Sequence, residues 1–408
     1  MTTDTAVVLT LLVLCYAVVS GLVKRWYLAP ALIFVVLGML LGPFGFAVLD
    51  GGPDAASFNT LAQLALTVIL FNQAVELDMA AVVRRRGLTF RLLAIGIPLA
   101  IGLGVVTALL VLPVMPLWEA VCLAAVVAPT EVALIDALLE DERIPERVRH
   151  AMSTESGFYD GFALAALLAA LALASERNDA DVHWGAFLLR TEVLSVVVGL
   201  AIGAGGGWVI GKSRGRGWMS DTWAQLATVA VALFCFQVAE SFHGSGFVAA
   251  FSGGLAFAYA ARRTDSVPEM HVSEAAGQLL ELAVFALFGG YAVIVGWRDA
   301  SWRVIVFAVV AVVAVRLVAV WLSLIRSDVP FRERLFIGWF GPRGIGTLVL
   351  GLIVVERGHI EQEALIIQVV AVTVTLSLVL HSVTAWPGIK GLLDSPAERT
   401  QKPLNQLN

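Results

Sequence analysis

Charge is what this chain is short of. Only 14% of its 408 residues are Asp, Glu, Lys or Arg, 59% are hydrophobic, and the mean hydropathy is +0.86. A typical soluble domain carries about 25% charged residues, so a water-facing globule of this size is excluded and a membrane protein is implied. Cysteine is scarce too. Cys15, Cys122 and Cys235 all fall in apolar stretches without CxxC or Cys/His spacing, which removes the usual zinc and redox patterns and leaves small buried hydrophobes. No P-loop, G-x-S-x-G or dinucleotide fingerprint sits in a strand-turn-helix context. Enzymatic catalysis therefore has no foothold, and neither a cofactor nor a nucleic-acid partner is expected. His150, His183, His243, His271, His359 and His381 fall in loops or near the ends of apolar runs, none at metal-ligand spacing, and are read as surface groups.

What the chain does have is apolar runs bounded by charge, Gly or Pro. They fall at roughly 5–22, 28–48, 58–77, 88–112, 117–139, 148–174, 184–210, 219–239, 243–260, 273–296, 301–324, 333–355 and 363–386. About 20 residues cross 30 Å of hydrocarbon, so about 13 transmembrane helices are predicted. The first run has no basic region before it and no A-x-A-like site after it, and is read as a span rather than a cleaved signal. Of the 27 Lys and Arg residues, 20 fall in the loops that a 13-span arrangement puts on one side, including Arg84, Arg85 and Arg86, and 5 on the other. Cytoplasmic loops are the ones enriched in Lys and Arg, so the N-terminus is expected outside and the C-terminus inside an inner cell membrane. One span more or less would scramble that asymmetry. The segment from Lys390 to Asn408, rich in Pro, Gln and charge, is expected to be disordered.

Two runs carry helix breakers near their middles: Ala128-Pro129-Thr130 in the fifth, and Gly341-Pro342-Arg343-Gly344 in the twelfth. Taken as two six-helix units, spans one to six and eight to thirteen, the runs place both breaks in the fifth helix of their unit. An odd number of spans separates the unit starts, so the two units are inverted. Inverted repeats with broken helices mark the substrate site of secondary transporters at the membrane midplane. Pro and Gly also merely kink membrane helices, but here they coincide with ionisable residues.

Intramembrane ionisable residues are costly and point to function. The sixth run holds Glu155, Ser156 and Asp160, with Ser156 and Asp160 on one helical face. The fifth holds Thr130 and Glu131 directly after Pro129, with Asp136 further on. A broken helix frees carbonyls, and carbonyl, hydroxyl and carboxylate oxygens are what a dehydrated alkali cation needs. Arg316 and Arg343 are the basic residues within runs, and each is expected to find a carboxylate. A network that only fixes helix packing is the competing account, above all for Glu155 and Arg316. Asn72 and Gln73 could face the site. Glu76 and Asp78 read as a solvated helix end, and Glu274 and Glu281 either line an inner vestibule or complement a helix N-terminus.

Residues 128–161, APTEVALIDALLEDERIPERVRHAMSTESGFYDG, resemble the Pro-Thr-Asp and Glu-Ser-x-x-Asn-Asp-Gly pattern of the NhaP-type cation:proton antiporters, and GWFGPRGIGTLVL at 338–350 is similar to that family's Gly-Trp-x-Gly-x-Arg-Gly segment. The resemblance implies Asp160 as the carboxylate that binds cation and proton in turn, Ser156 as a coordinating hydroxyl, and Thr130 as the source of a backbone carbonyl ligand. These three would form the alkali-cation site. It also implies Glu155 and Arg316 as a core ion pair and Arg343 as the arginine of the second break. Tyr159 stands where the family has Asn, Glu131 and Val132 where it has Asp and Pro, and Asn72 where some members supply a carboxylate. Glu131 and Asn72 are therefore counted with the site, and Tyr159 with selectivity.

The expected protein is an all-α polytopic antiporter with two inverted six-helix repeats whose broken helices cross at the midplane. It exchanges Na+, with Li+ or K+ as alternatives, for H+ through one carboxylate, without net charge movement. Residues 1–77 and 184–296 are expected to form scaffold and linking helices through which a homodimer assembles in the lipid bilayer. Residues 88–174 and 301–386 form the two halves of a moving core, and 387–408 a short cytoplasmic tail. An ion channel or a non-transporting membrane scaffold is the alternative, although a channel needs repeated polar rings along a pore and this sequence gathers its polar groups at one depth.

Overall fold

The structure is a computed structural model that describes residues 3–48, 55–77, 87–139, 141, 143–176, 184–264, 269–357 and 360–393. Arg84 to Arg86, Asp78, His183, His359 and the segment 394–408 lie outside the described residues. Among those described there are helices and no strands. In chain order they are α1 (Thr3–Arg25), α2 (Pro30–Leu41), α3 (Ala55–Glu76), α4 (Leu88–Val111), α5 (Leu117–Val127), α6 (132–139), α7 (Glu146–Glu176), α8 (Trp184–Gly215), α9 (Asp221–Ser241), α10 (Gly246–Arg262), α11 (His271–Arg298), α12 (Trp302–Ser323), α13 (Phe331–Trp339), α14 (Ile345–Arg357) and α15 (Glu363–Leu393). Helical structure is present in every predicted apolar run, and the fifth and twelfth runs are each split, into α5 and α6 and into α13 and α14. Among the described residues, eight helices are long and apolar enough to cross a bilayer. α2, α5 and part of α14 are shorter apolar helices.

The splits arise from local chemistry. Pro129 has no N–H to give to a helix and its ring crowds the preceding turn, so α5 ends at Val127. Pro342 does the same between Trp339 and Ile345. α4, α11 and α12 instead stay continuous through a π-helical turn each, at Leu92–Gly96, Gly289–Val293 and Val310–Val315. Such turns insert a residue and re-aim the side chains of the next turn; Arg316 comes directly after the one in α12.

Packing uses small residues, as expected where lipid supplies no hydrophobic drive. Gly199, Gly203 and Gly207 recur every four residues on α8, against the backbone of α10. A Cβ on Gly203 would lie 2.0 Å from the Gly253 carbonyl oxygen, so only glycine lets these helices meet so closely. α3 packs on α10 and α11, while α5 packs on α7 and α14, and α12 on α13 and α15. α1 turns Val7, Leu11, Leu14, Val18 and Leu22 outward, a lipid-compatible face.

One boundary needs correction. Disorder expected from Lys390 begins too early, because α15 continues through Pro387 to Leu393. Tertiary contacts hold this end: Trp339 Nε1 donates to Thr384 Oγ1 at 2.9 Å, and Trp386 stacks near Tyr27 with the Arg143 guanidinium over its ring.

Candidate ion-binding site

Each broken helix leaves unsatisfied backbone groups, and the two breaks satisfy one another. After α5 the carbonyls of Ala128 and Pro129 have lost their helical donors. Arg343, from the other break, donates Nη1–H to both, at 2.7 and 3.0 Å. In return Glu131 N donates to Pro342 O at 2.8 Å, and the Glu131 carboxylate accepts the Gly346 N–H at 3.4 Å near the start of α14. A cation thus sits at a helix C-terminus and an anion at a helix N-terminus, the arrangement the macrodipoles favour. The expectation that Arg343 would find a carboxylate is not met, because its guanidinium turns to backbone carbonyls, including Ala311 O at 3.4 Å. Orphaned carbonyls compete for donors as a carboxylate does.

The next carbonyl, Thr130 O, accepts the Ser156 hydroxyl at 2.7 Å, and the same Oγ accepts Val132 N–H at 3.2 Å, so Ser156 clips both sides of the first break to α7. One turn further along α7 lies Asp160, 4% exposed. Gly346 abuts it so closely that a Cβ there would lie 2.6 Å from Oδ1. Asp160 Oδ2 is buried without a partner among the described residues, and Gln73 of α3 packs against the same turn of α7, its Cβ 3.7 Å from where a Cβ on Gly157 would stand. A cleft of about 490 Å³ lies one turn away from Asp160, lined by Asn72, Gln73, Glu131 and Ser156 together with the exposed Glu76 and Glu274 and the buried Glu281. Asn72 also accepts the Ser273 hydroxyl at 2.6 Å.

Glu155, on another face of α7, forms a forked pair with Arg316, both Nη–Oε distances being 3.0 Å, and Arg316 also donates to Ile337 O. Tyr159 is buried among Leu93, Ile97, Ala128 and Val315. Neighbours on a helix diverge by about 100°, so while Asp160 faces Gly346 of α14, Tyr159 faces α4 and α12. Its bulk does not line the cleft.

A family model described as sodium/hydrogen exchanger, transmembrane, matches residues 8–389. The chain belongs to the sodium/hydrogen exchanger family. Among relatives, it is 28% identical over 374 residues to a probable Na+/H+ antiporter of Schizosaccharomyces pombe, covering 86% of this chain and 48% of that protein. It is 26% identical to the K+/H+ antiporter NhaP of Alkalimonas amylolytica, covering 96% and 68%. The chain therefore spans about half to two thirds of the length of these relatives. The sodium proton antiporter MjNhaP1 from Methanocaldococcus jannaschii has the same fold, with TM-score 0.71 and 19% identity over 93% of this chain and 98% of that one.

Within the exchanger fold two further buried groups escaped the sequence reading. His381, expected at the surface, is 2% exposed. Its Nε2 lies 2.9 Å from Trp339 O and its Nδ1 3.1 Å from Ser377 Oγ, and that hydroxyl in turn accepts Arg343 N–H at 2.8 Å. α15 thereby bridges both sides of the second break, and the Ser377/His381 spacing of four was the available signal. Glu119, at the start of α5, accepts Glu361 N–H and Gln362 N–H at 2.9 and 3.0 Å, capping α15 from a different helix.

Proposed function

We propose that the protein is a secondary antiporter that exchanges a monovalent cation, Na+ in preference to Li+ or K+, for H+ through Asp160. The observation that carries this reading is a buried carboxylate with one unpartnered oxygen, beside two broken helices that cap each other and one helical turn from Ser156, which lines a polar cleft. Asp160, the Ser156 hydroxyl and the Thr130 carbonyl supply hard oxygen ligands, with Glu131 and Asn72 beside them. A proton and a cation compete for the same Asp160 oxygens, so one leaves as the other arrives. One H+ for one cation moves no net charge.

In this reading Glu155 with Arg316 and Arg343 with the first-break carbonyls are fixed architecture. Residues 88–174 and 301–386 move as a core against the scaffold of 1–77 and 184–296. The protein is a homodimer in an inner cell membrane with its N-terminus outside. Membrane placement, family and fold are common to the exchangers, whereas cation, stoichiometry, dimer and orientation belong to this proposal.

The test is exchange in proteoliposomes. An imposed pH gradient should drive sodium uptake, the reverse gradient should reverse it, and clamping the membrane potential should change neither rate. Asp160→Asn keeps the shape but cannot trade a proton, so exchange should vanish while the protein still inserts. Wild-type exchange by that variant would overturn the assignment.

A further inference from the structure

Between Trp339 and Ile345 the helical ladder is interrupted, and α15 holds both edges of the gap. Ser377 and His381, four apart and both buried, share one face of α15. Ser377 Oγ accepts Arg343 N–H at 2.8 Å and lies 3.1 Å from His381 Nδ1, while His381 Nε2 lies 2.9 Å from Trp339 O. A carbonyl oxygen only accepts, so Nε2 carries a hydrogen and donates it to Trp339 O. Nδ1 then either stays bare and accepts the Ser377 hydroxyl, or takes a second proton and donates to Ser377 O, 2.7 Å away. The second choice would add a third buried cation to Arg316 and Arg343 and deprive the Ser377 hydroxyl of Nδ1 as its acceptor. The neutral ring is therefore favoured, and it completes an unbroken relay. Arg343 N–H donates to Ser377 Oγ, Ser377 O–H to His381 Nδ1, and His381 Nε2–H to Trp339 O.

We infer that Ser377 and His381 are positioning residues for the cation site and act on it through Arg343. This deepens the proposed function and rests on Thr130 O and Asp160 binding the transported ion. The first break frees three carbonyls in a row. Arg343 Nη1 takes those of Ala128 and Pro129, and Thr130 O is left to the Ser156 hydroxyl. An arginine side chain is long and flexible, so it keeps to one pair of carbonyls rather than the next when its own backbone is fixed. Glu131 N–H holds Pro342 O, and Ser377 holds the N–H of Arg343 itself. Released from Ser377, the guanidinium can move one carbonyl further and take Thr130 O. That would remove an oxygen from the ion and set a fixed positive charge beside its seat. The relay from α15 thus sets affinity for the cation without touching it.

The purified full chain, in detergent and in proteoliposomes, tests this with Ser377→Ala and with two His381 variants that each keep one end of the ring. His381→Asn puts an acceptor where Nδ1 stands, and His381→Gln a donor where Nε2 stands. The apparent KM for Na+, and the Na+ concentration giving half-maximal thermal stabilisation, should each rise about fivefold in Ser377→Ala and His381→Gln, the equivalent of one hydrogen bond. The rise should exceed any fall in kcat, and should be smaller in His381→Asn, which keeps the link to Ser377. A brace that served packing alone would lower the Tm of all three and leave their Na+ dependence at the wild-type value, and that result, beside an inactive Asp160→Asn, would overturn this proposal alone. The wild-type ring gives a second check at neutral pH. The 15N signals that vanish in whichever His381 variant inserts should show one bare and one protonated nitrogen, and a ring protonated on both would overturn the relay. Wild-type exchange by Asp160→Asn would instead overturn the reading of Asp160 on which the proposal rests.

Discussion

The first break, after Val127, and the second, between Trp339 and Ile345, are both made by proline yet end up differently filled. At the first, two carbonyls are taken by Arg343 and the third by Ser156, and the acidic residue next in the chain, Glu131, reaches over to the other helix. At the second, the arginine leaves in the opposite direction and its backbone is tied to α15 through Ser377. Exchanging charged side chains lets each break be capped by the other, so neither half-helix end stays open to hydrocarbon. It also leaves Asp160, which belongs to neither break, with an oxygen that no donor from the breaks has claimed. The cation site proposed at Asp160 needs that economy, because every spare donor nearby would compete with the ion.

Removing the exchange at its strongest point should have the largest effect. Arg343→Met strands two buried carbonyls at about 1–3 kcal/mol each, so a loss of about 4 kcal/mol is expected in the stability of the solubilised protein, along with exchange. Wild-type stability would show that the two breaks do not depend on each other. Next comes the pair that stands outside the exchange. Glu155→Gln leaves a buried guanidinium without its carboxylate and should cost about 3 kcal/mol, and adding Arg316→Gln should restore part of it. A stable but inactive Glu155→Gln would instead move Glu155 from architecture into the transport site.

The smallest effect belongs to a wet counterpart of these dry contacts. Asp141, in the loop between α6 and α7, is hydrogen-bonded by Arg143 at 2.6 to 3.1 Å and by the Tyr27 hydroxyl at 2.9 Å. The Arg143 hydrogen bonds hold its carboxyl well below the usual carboxylate range despite some desolvation. A depressed folded-state value means that the contribution is complete above the unfolded pKa of about 4 and is lost as pH falls towards the folded one. Asp141→Asn should therefore be slightly less stable than wild type at neutral pH, with the gap closing in acid. A gap that widens in acid would contradict the ion pair.

Depth was legible in the sequence and azimuth was not. Apolar runs and their punctuation put helices in place, and Pro129 and Gly341-Pro342 located both breaks, since backbone chemistry acts within a few residues. Glu155 and Arg316 were singled out together by the family resemblance and meet at 3.0 Å. Arg343 was expected to seek a carboxylate, because the number of carbonyls freed 215 positions away cannot be read from its neighbours. Tyr159 was taken to shape the cavity, and only the packing of α7 against α4 and α12 shows which way it turns. His381 looked peripheral because the run ends near it, whereas the helix continues to Leu393 and puts it among buried neighbours.

Among the described residues the crossing gathers two guanidinium groups and three carboxyls, Arg316 and Arg343 against Glu131, Glu155 and Asp160. In the proposed cycle one negative charge is left over whenever Asp160 is empty, and none once it holds a proton or a monovalent ion. Carrying an uncompensated charge through the low-dielectric interior costs about 3 kcal/mol or more, which slows an empty return stroke roughly a hundredfold. The proposed cycle thereby suppresses leakage without a gate. The carrier that fails to pick up a passenger is the one that cannot travel.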